Sequence, residues 1–211
     1  MKTLLFCTAY ASDSDTWEGR YYPWYEHYKS CGVNYDRLLV IDDGSQTSPT
    51  FLTTEEHVKL TPRLGRNGIH NYPGWYRSFA HAINFANGNG FDKIVHCESD
   101  SFLLSDKVIR FVNGLSSGWS TFWCPRHSLP ESAIQVICQD NLLAAVEFFS
   151  QLYGVYVHQC LDEILPYTEI HKTFIGDRYG ETNDPIPKNA DFSCQTSLSM
   201  LHKWRYENTI V

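Results

Sequence analysis

The sequence predicts an α/β domain with a mainly parallel, mixed central sheet flanked by helices. Three observations carry this. Apolar runs of strand length recur at residues 3–9, 37–41 and 93–97. Segments with helical spacing of apolar residues separate them. Each run ends in a polar cluster: residues 8–13, 42–45 and 98–101. Strands buried on both faces read as continuous apolar runs, and ligands of such sheets bind beyond the strands' carboxyl ends.

The elements follow in order. Residues 3–9 make a buried first strand. Residues 16–30 are aromatic-rich and predict a helix, with Asp13 or Asp15 near its cap and Gly32 at its end. Residues 37–41 form a second strand, stopped by Asp42-Asp43-Gly44-Ser45, and 58–60 a short third. Residues 72–87 are helical, since Trp75, Phe79, Ala82, Ile83 and Ala86 recur at spacings of three and four. Asn87-Gly88-Asn89-Gly90 ends that helix. Residues 93–97 form the central strand, and 106–114 a helix. Further on, 120–124 and 133–138 read as strands and 141–152 as a helix. Residues 161–169 read as a helix interrupted at Pro166. Residues 176–191 are rich in Gly, Pro, Asn and Asp and predict a long loop, a common site of binding elements.

The bulk properties narrow the function. A chain of 211 residues with no Ser/Gly tract, charge block or Pro-rich run suits one domain, 1–211. A net charge of -7 argues against nucleic acid as partner. Seven cysteines, widely spaced and without a C-x-x-C pair, fit free thiols in a reducing compartment, so the cytoplasm is the expected location. Residues 3–11 mimic a signal peptide but are too short for one. No apolar stretch has the length of a membrane span. The sequence leaves the oligomeric state open.

The chemistry concentrates at Glu98 and Asp100, one residue apart where the 93–97 run ends. On a strand, such residues point to one side. Two carboxylates there repel unless a cation lies between them, and oxygen ligands suit Mg²⁺ or Mn²⁺. No G-x-G-x-x-G follows the first strand, and neither a P-loop nor G-x-S-x-G occurs. A dinucleotide-binding enzyme, a Walker-type ATPase and an α/β-hydrolase are thereby disfavoured.

With these features the sequence resembles the GT-A fold glycosyltransferases, which use nucleotide sugars. Leu39-Val40-Ile41-Asp42-Asp43-Gly44-Ser45 is similar to the family's second strand and its acidic nucleotide-contacting turn. Val95-His96-Cys97-Glu98-Ser99-Asp100-Ser101 is similar to its Asp-x-Asp metal motif, with Glu98 in the first acid's place. Leu201-His202-Lys203-Trp204 resembles a C-terminal segment whose His completes the metal site in some members. The match runs in order through most of residues 1–138 and at scattered points beyond. The size and the Glu-Ser-Asp form also resemble a chlorella-virus-encoded glycosyltransferase domain, which would place the chain in a host's cytoplasm.

The resemblance implies a single GT-A-like domain, with residues 1–104 binding nucleotide and 105–211 binding acceptor. It implies a metal-dependent transfer of sugar from a UDP-sugar donor to a glycan or glycosylated-protein acceptor, with Mn²⁺ (or Mg²⁺) as cofactor. Glu98, Asp100 and His202 would hold the ion, with His158, His171 and Asp191 as rivals to His202. Thr8, Ala9 and Tyr10 would line the base site, and Asp43 or Asp42 would accept a hydrogen bond from base or ribose. Arg77, or Arg63 and Arg66, would face the nucleotide beside Ser99, and Lys203 would contact the diphosphate. Asp100 is expected at the reacting bond. Inverting transfer needs a carboxylate base, for which Asp162, Glu163, Asp140 and Asp191 are available. Retaining transfer needs none, and the His-Lys-Trp ending resembles retaining members more. Trp119, Trp123 and Tyr153 could stack on sugar rings. Two other readings compete: a sugar-phosphate nucleotidyltransferase, disfavoured by the acidic, glycine-free segment 9–15, and a non-catalytic carbohydrate-binding protein.

Overall fold

Thr3 to Ala9 is buried at every position, as a central strand must be when helices cover both faces of its sheet. The structure, a computed structural model, describes residues 1–209. Its strands are β1 (Thr3–Ala9), β2 (Arg37–Asp42), β3 (His57–Lys59), β4 (Lys93–Cys97), β5 (Phe102–Leu103), β6 (Trp119–Cys124), β7 (Leu129–Cys138), β8 (Glu169–His171), β9 (Gly176–Asp177) and β10 (Phe192–Ser193). Seven of them form the main sheet in the order β3-β2-β1-β4-β7-β6-β8. All run parallel except β7, which is antiparallel to β4 and β6. The short strands β5, β10 and β9 pair in a second sheet. This is the α/β, mainly parallel, helix-flanked arrangement that the sequence predicts.

Alternation along β1 builds two cores. Leu5, Cys7 and Ala9 face one side, with Trp17, Trp24, Tyr28, Val108 and Val112 from the helices at 14–30 and Asp106–Gly114. Leu4 and Phe6 face the other, with Phe79, Ala82, Ile83 and Ala86 of the Pro73–Gly88 helix and Leu142, Ala145 and Phe149 of the Gln139–Gln151 helix. Each fully buried large apolar side chain contributes roughly 1.5–3 kcal/mol, so the two layers fix β1 and its neighbours firmly. Lys93 is 1% exposed. Its Nζ donates to the carbonyls of Val112, Asn113 and Leu115 at 2.9, 3.0 and 3.3 Å. It thus satisfies orphan groups at the C-terminal end of the Asp106–Gly114 helix.

Several boundaries differ from the sequence expectation, each for a local reason. The first helical stretch starts at Ser14 because Asp13 caps it, accepting from the Thr16 amide at 2.8 Å. A π turn, Trp17–Tyr21, interrupts it. Strand β7 begins at Leu129, four residues earlier than expected, and pairs antiparallel. The helix expected over 161–169 is a single turn, Leu161–Ile164, because Pro166 removes a donor and forbids continuation. Residues 169–171 then join the sheet edge as β8. The expected loop 176–191 opens with β9 and a 3₁₀ turn at Tyr179–Glu181. A C-terminal helix, Leu198–Thr209, closes the described chain. All seven cysteines are free. Among the described residues no helix is long and apolar enough to cross a membrane.

The C-terminal helix docks through a buried histidine. Arg205 donates to His27 Nδ1 at 2.7 Å, and His27 Nε2 meets the Leu103 carbonyl at 2.9 Å. With Nδ1 accepting, Nε2 carries the proton and the ring stays neutral. Burial, together with the Arg205 charge, lowers the His27 pKa to about 4. Between its unfolded value near 6.5 and about 4, the unfolded chain binds more protons than the folded one. Stability from this site is therefore complete above about 6.5 and is lost as pH falls toward 4, by roughly 3 kcal/mol in all. Chemical denaturation at pH 7 and pH 4.5 tests this, and His27→Gln is expected to flatten the loss.

Candidate functional site

Strand β4 ends at Cys97, and the chain then turns. The Glu98 amide extends the ladder to the Ala133 carbonyl at 2.8 Å, and the Ser101 amide closes on the Glu98 carbonyl at 2.9 Å. Glu98 and Asp100 therefore share a cleft because a turn folds them together. The strand alternation that the sequence suggested is not the cause. Both line one cavity of about 400 Å³.

The Glu98 carboxylate is gripped by protein. Thr8 Oγ1 lies 3.0 Å from both of its oxygens. The Trp75 indole N–H donates to Oε1, and Nε2 of the buried His96 lies 3.2 Å from Oε1. Burial pushes this carboxyl up. The His96 and Trp75 contacts and the Arg20 charge outweigh it and hold the pKa below the usual range. Asp100 behaves oppositely. Burial raises its pKa, the Arg20 charge offsets part of this, and Glu98 adds to the rise. Arg20 Nη2 sits 3.0 Å from Asp100 Oδ2, and Arg20 Nε donates to Ser99 Oγ at 2.5 Å.

A second acidic position organises the opposite wall. Asp43 accepts from the Gly65 amide at 2.7 Å, from the Leu64 amide at 3.2 Å and from Arg77 Nη2 at 2.5 Å. These bonds fasten the loop that carries Arg63 and Arg66. The Arg63 guanidinium stacks 3.5 Å from the Tyr10 ring centre. Arg66 lies 4.7 Å from the Tyr72 ring centre. Tyr10 is fixed in turn by Tyr21, whose hydroxyl bonds both the amide and the carbonyl of Tyr10 at 2.9 and 3.0 Å. Gly44 adopts φ +80°, a left-handed conformation that suits glycine.

Thr8, Ala9, Tyr10, Asp43, Arg66 and Glu98 thus line one cavity of about 350 Å³, together with Arg20, Arg63 and Trp75. It shares Arg20, Arg66, Tyr72, Trp75 and Glu98 with the cavity holding Asp100, so the two form one continuous cleft. Ser99 is buried at its edge and accepts from Arg20. Arg77 stands behind the wall and acts through Asp43. Asp42 is fully buried, with its carboxylate bonded to Ser45 and 3.2 Å from His57 Nε2. It shapes the turn, and among the two neighbours Asp43 is the one on the cleft.

Other expected residues lie elsewhere. Asp191 is buried and accepts from Ser105 Oγ at 2.5 Å, the Ile175 amide at 2.8 Å and Lys107 at 3.1 Å. It ties the residues before β10 to the Asp106–Gly114 helix. Glu163 is exposed and does not line the cleft, whereas its neighbour Asp162 does. His202 is exposed, and Lys203 pairs with Glu207 at 4.0 Å beside a separate hollow near Asp184. Neither lines the cleft. Four cleft residues carry no sequence signal of their own: Arg20, Trp75, Glu131 and Arg178. Arg178 grips the fully buried Glu131 with two bonds, at 2.7 and 3.0 Å, and reaches Asp162 at 3.1 Å. The one trace of Arg20 in the sequence is Glu18-Gly19-Arg20, a polar break in an aromatic stretch.

The donor set bears on a metal. Among the described residues no three His, Cys, Asp or Glu side chains gather to cage an ion. Mg²⁺ and Mn²⁺ do not need such a cage. An ion of the Mg²⁺ type is commonly held by one or two carboxylates, water and substrate phosphate. The Glu98–Asp100 pair fits an ion of that shared kind: both side chains are 19% exposed, with Glu98 engaged by Thr8 and Trp75 and Asp100 by Arg20.

The ends of the mainly parallel strands thus gather an acidic turn, an acid pair and three arginines in one cleft. No protein-family model matches the sequence, and no curated protein matches it. Among solved structures, the chain is similar over its full length to the crystal structure of a glycosyltransferase involved in the glycosylation of the major capsid of PBCV-1. The TM-score is 0.54 at 10% identity, with all of both chains covered. The chain therefore has a glycosyltransferase fold.

Gly74 gives a sharp test of the Asp43 clasp. A Cβ there would stand 2.1 Å from Asp43 Oδ2. Glycine to alanine in a helix ordinarily stabilises by about 1 kcal/mol. Here Gly74→Ala is expected to destabilise by about 1–3 kcal/mol in chemical denaturation, because the carboxylate has to move. An unchanged or higher midpoint would show that the clasp yields freely.

Proposed function

We propose that this protein is a glycosyltransferase that moves a sugar from a UDP-sugar donor to a glycan acceptor, with Mn²⁺ or Mg²⁺ at Asp100. The observation that carries the reading is the convergence of Arg20, Arg63 and Arg66 with Glu98 and Asp43 on one cleft in a chain of net charge -7. Local guanidinium groups in an acidic protein suit a diphosphate, since their forked donors match phosphate oxygens. The paired acids next to them suit a divalent ion bridging that diphosphate.

The roles follow from the geometry. Tyr10, stacked on one face by Arg63, offers an aromatic wall to the base. Asp43 acts by holding the Leu64–Gly65 backbone, and so positions Arg63 and Arg66 toward the diphosphate. Negative charge grows on the diphosphate as the sugar–oxygen bond breaks, and the arginines stabilise it in a partly enclosed site. A divalent ion held by Asp100, when bound, supplies further Lewis-acid stabilisation of that leaving group. Glu98 keeps the base of the cleft ordered through Thr8 and Trp75.

The acceptor half supports retention of configuration. The two acceptor-half carboxylates that line the cleft are held by donors: Glu131 by Arg178, and Asp162 by Arg178, the Ser132 amide and the Cys160 thiol. Neither of these two stands free to take a proton from an acceptor hydroxyl, as inversion requires.

Calorimetric titration with UDP tests the core of this reading. Binding is expected to tighten at least about tenfold, or roughly 1.4 kcal/mol, when Mn²⁺ is present. Asp100→Asn is expected to remove that gain while the melting temperature stays near the wild-type value. UDP binding that ignores both Mn²⁺ and the substitution would sink the metal role. The anomeric configuration of the product, read by NMR, checks retention.

A further inference from the structure

We infer that Arg20 is an internal stand-in for the divalent ion: it holds Asp100 while no ion is bound, and it turns to the nucleotide diphosphate when an ion takes its place. This deepens the functional reading above and rests on it. Three observations support it.

The first is the contact. Arg20 Nη2 occupies Asp100 Oδ2 at 3.0 Å, and Nε rests on Ser99 Oγ. A cation and a guanidinium on the same carboxylate oxygen repel each other, so ion and arginine compete. The second is the strength of the hold. The Arg20 side chain is 50% exposed and that of Asp100 19%, so solvent screens the guanidinium end of the pair and weakens it. A doubly charged ion that also gathers phosphate oxygens displaces such a pair. The third is room to move. Arg20 borders the cavity of the nucleotide half, the cavity of the acceptor half and a third of about 270 Å³ beside Ser99 and Ser197. It projects from the π turn Trp17–Tyr21, next to Gly19, whose side-chain position meets no atom within 4 Å. Single π turns inside helices recur at functional sites.

The consequence is a coupling between ion and nucleotide. An ion alone has to expel Arg20 and leave it without a partner. An ion arriving with a nucleotide gives the freed guanidinium a diphosphate to hold. The pair therefore disfavours metal binding to the empty cleft and favours it in the ternary complex. It also keeps Asp100 and Ser99 ordered between turnovers.

The test measures Mn²⁺ affinity by the loss of the free-ion electron paramagnetic resonance signal, on the full chain, with and without UDP. Arg20→Gln is expected to bind Mn²⁺ about tenfold more tightly than wild type without UDP. In saturating Mn²⁺ it is expected to bind UDP about tenfold more weakly. Arg20→Lys keeps the charge without the fork, and is expected to fall between the two on both counts. Unfolding curves of both variants confirm that they fold. If Arg20→Gln leaves Mn²⁺ affinity unchanged or lowers it, while both proteins bind UDP with Mn²⁺, the stand-in role is wrong and the functional reading stands. If the wild type binds neither Mn²⁺ nor UDP, both fall together.

Discussion

The Glu98 carboxylate is the constraint on which the rest of the site depends. A charge at the inner end of a buried strand is costly unless it is hydrogen-bonded. Its surroundings come from three separate elements: Thr8 at the end of β1 and Trp75 in the Pro73–Gly88 helix donate to it, and His96 Nε2 on β4 lies 3.2 Å away. Satisfying one carboxylate therefore fixes how two adjacent strands and a covering helix meet. The aromatic box of Phe6, Phe79, Trp75, His96 and Phe149 holds that junction in place. Such a rigid base lets Asp100, two residues on, present its carboxylate at a defined place.

Asp43 performs a parallel task on the other wall. It spends its acceptor capacity on two backbone amides and Arg77, so it is an organiser of the basic loop. Gly74 is small because the carboxylate lies where its side chain would be. The two acids show a common logic: each sits where a parallel strand ends and uses fixed donors to hold a loop in place. Their neighbours, the arginines on one wall and Asp100 on the other, are the groups that face the cleft.

The fold and the acidic half of the cleft were legible in the sequence because both leave local signatures. Apolar runs of strand length marked β1, β2 and β4, and the acid pair after residue 97 marked the site. The glycine at position 44 and the paired acids before it marked the turn. What was not legible depends on distance in sequence. Arg20 reaches Asp100 across 80 positions, and Arg178 reaches Glu131 across 47. No periodicity records such meetings. The helix read over 161–169, interrupted at Pro166, is a single turn, and β8 was missed because three residues are too few to show a strand's alternation. The C-terminal segment was read from a resemblance and not from spacing. His202 and Lys203 read as site residues because Leu201-His202-Lys203-Trp204 resembles a family segment; the structure places both on a helix outside the cleft lining.

The central claim is that one cleft holds a nucleoside diphosphate between the Tyr10–Arg63 wall and Asp100. A crystal structure of the protein grown with UDP and Mn²⁺ tests it most directly, with anomalous scattering used to find the manganese. The account predicts the base beside Tyr10, the diphosphate among Arg20, Arg63 and Arg66, and an anomalous peak within coordination distance of Asp100. Nucleotide bound away from this cleft, or an anomalous peak remote from Asp100, would contradict it.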